Sequence, residues 1–159
     1  VSPVFVPVNN TKQLDEDLFF FTDIPREPGS FAPTQGNFFN EDGTGPVPLI
    51  DDASLVVKTE KGLVVIMGCA HAGYTNILKA VHKQFPDKKL RAVIGGMHLG
   101  NASEAVLKEA ADFTDDIRTP DFRFYGGHCT GEKAIHYFRE RFGAEGVQSL
   151  GSGKLIAFN

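Results

Sequence analysis

From Ser54 onward the chain alternates short apolar runs with segments of helical period, and this alternation constrains the fold more than any other feature. Ser54 to Thr59 and Leu63 to Met67 read as two β-strands joined at Glu60-Lys61-Gly62, where the glycine supplies the positive φ of a tight hairpin. Ile77, Leu78, Val81 and Phe85 then repeat at helical spacing until Pro86 stops the helix. Leu90 to Ile94 is a further short buried strand. Asn101, with Glu104 after it, reads as a capping pair opening a helix to about Phe113. Phe122 to Tyr125 is again a strand, and the helix from about Glu132 to Phe142 ends at Gly143. The tail, Val147 to Leu150 and Lys154 to Phe158, reads as a hairpin around Gly151-Ser152-Gly153. Strand and helix in repeated alternation predict a layered α/β unit.

Residues 1–50 are irregular, against a regular 51–159. Leu18 to Thr22 reads as a strand ended by Asp23-Ile24-Pro25. Between Arg26 and Pro48 the chain is rich in Gly, Pro, Asn and Phe without period. So long a stretch reads either as a surface loop pinned by Phe31, Phe38 and Phe39 or as a lid over a site. Val1 to Val8 lacks the basic end and long apolar core of a signal peptide, and with no initiator Met the chain reads as part of a longer polypeptide.

Composition removes several function classes. No apolar run approaches the roughly 18 residues of a membrane span. A net charge of −4 with no basic block leaves no phosphate-neutralising stripe, so a nucleic-acid partner is not expected. Two cysteines are too few for a disulfide framework and fit a reduced cytoplasm.

His71, His98 and His128 each follow an apolar run inside a glycine-flanked segment: Gly68-Cys69-Ala70-His71-Ala72-Gly73, Gly95-Gly96-Met97-His98-Leu99-Gly100 and Gly126-Gly127-His128-Cys129-Thr130-Gly131. Imidazoles at successive strand ends would converge on one sheet edge, where α/β folds place ligands, and neutral imidazole is the commonest metal-binding side chain. A structural hydrogen-bonding role is the alternative for any one of them. Cys69 and Cys129 each lie within two residues of one of these histidines, as thiolate ligands, buried packing or support behind the ligands. Asp51-Asp52 offers a carboxylate or a solvated turn. His82 and His136 fall beside the apolar helix faces and read as solvated.

Asp51-Asp52-Ala53-Ser54-Leu55, Lys61-Gly62 through His71-Ala72-Gly73, Gly95-Gly96-Met97-His98-Leu99 and His128-Cys129-Thr130-Gly131 together resemble the metallo-β-lactamase superfamily. Phe21-Thr22-Asp23-Ile24-Pro25-Arg26-Glu27 is similar to a stretch of the branch that includes the dihydropterin–ribofuranosylaminobenzene phosphate synthase. The resemblance runs from about Leu18 to the C-terminus. It implies the C-terminal half of an αββα sandwich, with residues 1–159 as one part of a single domain. The family's His-x-His-x-Asp-His motif belongs to the N-terminal half, and no histidine precedes His71 here.

The resemblance implies His71 and His128 as metal ligands and His98 as a catalytic group on substrate or proton. Cys69, Cys129, Thr130 and Asp52 would contact substrate or support the ligands. The cofactor would be zinc, one ion or two, with manganese or iron as alternatives. The activity implied is hydrolysis of an ester-, amide- or phosphate-type small molecule by metal-bound hydroxide when the domain is complete, this chain alone being inactive. A pterin-joining transferase like the synthase and a non-catalytic assembly module remain the alternatives. Expected partners are the small-molecule substrate and the missing N-terminal half or a second chain, a homo-oligomer among them.

Overall fold

In a computed structural model the chain is described at residues 6–33, 38–47 and 49–158. The strands are Thr11–Asp15 (β1), Leu18–Phe21 (β2), Phe38–Phe39 (β3), Pro46–Val47 (β4), Ser54–Thr59 (β5), Gly62–Met67 (β6), Leu90–Gly95 (β7), Arg118–Gly126 (β8) and Val147–Ser149 (β9). The helices are Tyr74–Gln84 (α1), Glu104–Ile117 (α2) and Glu132–Phe142 (α3). Seven strands form one sheet in the order β1-β2-β5-β6-β7-β8-β9, while β3 and β4 pair as a separate small hairpin. Neighbours from β1 to β6 are antiparallel; β6, β7, β8 and β9 run parallel. This mixed α/β sheet with three helices is the predicted class.

Each parallel step needs a crossover, and α1, α2 and α3 supply the three in turn. Successive right-handed crossovers stepping the same way put all three helices on one face. That face carries a row through the register, Phe19, Val56, Val65, Val93, Phe124 and Val147, every member buried. The helices cover it with Ile77, Leu78, Val81, Leu107, Ala110, Ile135 and Phe138. Phe138 meets Phe124 edge-on with ring centroids 4.8 Å apart, a geometry that adds about 0.5–1.5 kcal/mol to the burial itself.

The other face is apolar as well. Its rows hold Leu18, Val57, Val64 and Ala92, then Phe20, Leu55, Ile66, Ile94 and Tyr125. Among the described residues no helix covers it, and Leu18, Phe20, Leu55, Val57 and Ile94 are half-buried. Ile66 is 37% exposed, so β6 is enclosed on the helix side and open at its centre on the other. Over one end of this face the C-terminal segment packs Phe158 on Tyr125, 6.5 Å between centroids, with the Arg91 guanidinium 5.5 Å from the Phe158 ring.

Several local expectations need correction. Ser103, not Asn101, caps α2, its hydroxyl accepting the Val106 N–H at 3.3 Å, and the helix runs on to Ile117. The tail is no hairpin: β9 joins β8 in parallel, because α3 returns the chain to the starting end of the sheet, and residues 154–158 form no strand. Only the backbone of Phe38 and Phe39 lies within the described residues, so their packing role falls outside them. Phe31 does pack on the core, and Ser30 accepts a 2.8 Å hydrogen bond from Asn76 of α1. Among the described residues no helix is long and apolar enough to cross a membrane.

Candidate metal centre

Strands β6, β7 and β8 end level, with Met67, Gly95 and Gly126 side by side. The loops beyond stay in step, since Gly96 N–H donates to the Gly68 carbonyl at 3.1 Å and Gly127 N–H to that of Gly95 at 3.0 Å. His71, His98 and His128 therefore emerge along one sheet edge. Five non-glycine residues among those described have positive φ, and three of them are Ala70 (56°), His98 (48°) and His128 (52°). Such backbone costs about 1–3 kcal/mol per residue and clusters where function requires it.

His71 is held from behind. Its Nδ1 lies 2.7 Å from Oδ1 of Asp51; an ionised carboxylate only accepts, so Nδ1 carries the proton and Nε2 presents a free lone pair. Its ring meets that of His98 at 5.1 Å between centroids. Burial, followed by the neighbouring His71 and His128, lowers the His98 pKa below its ordinary value and keeps the ring neutral. His98 Nδ1 is buried and without a hydrogen-bond partner.

His128 and Cys129 lie on a 3-10 turn, His128–Thr130, directly after β8. One donor atom from each of Cys69, His128 and Cys129 forms a group within 4.8 Å of one another. The Cys129 thiol donates to the Cys69 carbonyl at 3.6 Å. Burial and the adjacent Cys129 push the Cys69 thiol pKa up. Gly96 makes the arrangement sterically feasible: a Cβ there would stand 2.6 Å from the Gly68 carbonyl oxygen, 2.9 Å from Cys129 Sγ and 3.3 Å from His128 Cδ2. Nitrogen and sulfur donors around space that a methyl would fill, with a buried orphan nitrogen beside them, fit a divalent metal.

Thr130 and Asp52 lie behind the candidate ligands. Thr130 is fully buried, accepting the Met97 N–H at 3.2 Å and donating to the Gly127 carbonyl at 2.7 Å, so it braces the turn. Asp52 is buried too, accepting from Ala72 N–H at 2.9 Å and Arg26 at 3.2 Å. Burial outweighs both partners and raises its pKa. Arg26 also donates to the Leu49 carbonyl, and through Asp52 it is linked to Ala72 in the loop carrying His71. Asp51, not Asp52, touches a candidate ligand. No local signal marks that contact, made across twenty positions. His82 is half-buried against the Phe113 ring at 6.4 Å, because the α1–α2 seam closes over it. His136 is exposed, 3.3 Å from Glu140.

No family model matches the chain. Over 127 residues, 79% of the chain, it is 34% identical to the 7,8-dihydropterin-6-methyl-4-(β-D-ribofuranosyl)-aminobenzene-5'-phosphate synthase of Methanocaldococcus jannaschii, covering 42% of that protein. Over 85 residues it is 32% identical to an uncharacterized protein of the same organism, 54% of this chain and 29% of that one. A crystal structure of a metal-dependent hydrolase of the β-lactamase superfamily matches with a TM-score of 0.77 and 25% identity, over 96% of this chain and 58% of that one. The chain spans less than half the length of the curated relatives it matches.

Proposed function

From a chain that resembles the metallo-β-lactamase superfamily in both sequence and fold, we propose the C-terminal portion of one metallo-β-lactamase-like domain whose complete form is a metal-dependent hydrolase. The observation that carries the reading is His71 fixed by Asp51 at 2.7 Å, on a sheet edge shared with His98 and His128. A carboxylate behind an imidazole selects the tautomer and raises its basicity as a ligand. His71 and His128 would hold the metal, zinc in the first instance, with manganese or iron as alternatives. A divalent ion held there would lower the pKa of its water to about 7 and polarise a carbonyl or phosphoryl oxygen.

The chain's own residues supply the rest. His98, neutral and half-buried beside His71, accepts or returns a proton through an imidazole nitrogen. Gly96 lets the Gly68 backbone and the Cys129 and His128 side chains approach closely, and the buried Thr130 keeps the His128 turn from moving. The substrate class is a small ester, amide or phosphate ester, taken in the reducing cytoplasm.

A second reading follows from the first-named relative, which is a synthase: the same site would join a pterin to an aryl-ribose phosphate. Metal analysis and paired assays of a longer protein carrying this chain separate the two. Hydrolysis of ester and phosphate substrates that is lost on chelation and regained with zinc supports the hydrolase, and pterin–aryl coupling without hydrolysis selects the synthase. His128→Ala should lower metal content and activity together with the fold intact, while His136→Ala is silent. Full occupancy and turnover in His128→Ala would refute the site.

A further inference from the structure

We propose that this chain by itself binds a thiophilic divalent ion, zinc first, through the thiolates of Cys69 and Cys129 together with the imidazole of His128. The inference rests on reading the strand-end loops as a metal centre, and it puts sulfur into the coordination shell where the imidazole reading leaves both cysteines behind the ligands. The three donor atoms lie within 4.8 Å of one another. Small side-chain rotations bring such a group onto one centre at Zn–S distances of about 2.3 Å and a Zn–N distance of about 2.0–2.1 Å.

Three separate features of the fold converge on this set. The level ends of β6 and β8 put Cys69 opposite the turn bearing His128 and Cys129. Between them the loop after β7 contributes Gly96, whose missing side chain keeps the space open, since a Cβ would sit 2.9 Å from Cys129 Sγ and 3.3 Å from His128 Cδ2. Thr130, buried and bonded to Met97 and Gly127, fixes the turn so that its donors are ordered in advance. Two thiolates and an imidazole are a soft set that selects zinc or ferrous iron over magnesium, calcium or manganese. Three protein donors leave a fourth position for His71, water or substrate.

X-ray absorption of the chain loaded with stoichiometric zinc under reducing conditions tests this directly. Two sulfur scatterers at about 2.3 Å are expected. Cys69→Ser and Cys129→Ser should each remove one and weaken zinc binding at least about tenfold, whereas His71→Ala keeps both. Cobalt(II) titration gives an independent readout, a thiolate-to-cobalt charge-transfer band in the near ultraviolet that each serine variant diminishes. A shell of nitrogen and oxygen alone overturns the sulfur assignment and leaves the metal-dependent reading intact. A chain that takes up no zinc against a chelator overturns it as well, and the metal content of the longer protein then decides the functional reading separately.

Discussion

Asp51 is half-exposed, with half of its side-chain surface in solvent, yet its carboxylate sets which nitrogen of the buried-side His71 faces the sheet edge. Asp51→Asn keeps the size and removes the ionised acceptor, so zinc affinity should fall about 10–100-fold while the melting temperature holds. Competitive zinc titration beside a thermal melt checks both, and unchanged affinity would strip Asp51 of that role. Gly96→Ala carries the opposite signature. Its new methyl meets the Gly68 carbonyl at 2.6 Å, backbone that cannot yield cheaply. Overpacking of this kind costs about 1–3 kcal/mol, readable as a lowered urea midpoint together with weaker zinc binding; a neutral variant would mean the loops are slack. The histidine loops were legible in the sequence because glycines flank all three. Asp51's partner and Gly96's neighbours were not, since each contact joins residues that only the level strand ends bring together.

The helices differ in how openly the chain declares them. Helix α1 reads from its apolar spacing, and α3 from Ile135, Phe138 and Phe142 with Gly143 at φ +87° after them. At the start of α2 two polar residues compete, and Ser103 wins because its hydroxyl reaches the Val106 N–H. No apolar alternation marks strand β1, because all five of its residues are exposed. Strand β9 is legible as Val147 to Leu150, but its partner is not, because parallel pairing to β8 is non-local. Where α2 passes into β8, Asp115 accepts from Arg118 at 2.6 Å and from Arg141 of α3 at 2.5 Å. Burial alone would raise its pKa, but the hydrogen bonds and charges of Arg118 and Arg141 outweigh that and hold it below the ordinary 3.8. A carboxylate with a depressed folded pKa stabilises the fold above its unfolded pKa and loses that contribution as pH falls through the folded one. Asp115→Asn should therefore destabilise at neutral pH by about 1 kcal/mol, a melting shift of roughly 2–4 °C for a chain of this size. The gap should close below pH 3.8. Melting curves in which it persists undiminished to about pH 2 would assign the loss to packing instead.

Taken entire, the sheet buries one face under three helices and leaves the other apolar and partly open, with Leu18, Phe20, Leu55, Val57, Ile66 and Ile94 in contiguous rows. Alternation of apolar runs and helices announced the covered face; the uncovered one was foreshadowed by Leu63 to Met67, apolar at every position. Monomers seldom expose contiguous apolar patches of more than a few hundred Å², and a layered domain needs a second layer over such a surface. The curated synthase that this chain matches has more than twice the matched length, of which the chain covers 42%. The proposed occupant of the face in such longer proteins is the remaining sheet layer of the same domain. Presented alone, the chain should bury the surface against a second copy. Sedimentation velocity should then show a concentration-dependent dimer or larger species. Ile66→Lys, placing a charge at the open centre of the face where the side chain is already 37% exposed, should shift that equilibrium toward monomer with little loss of melting temperature. A wild-type chain that sediments as a monomer at every concentration would show that the face needs no cover.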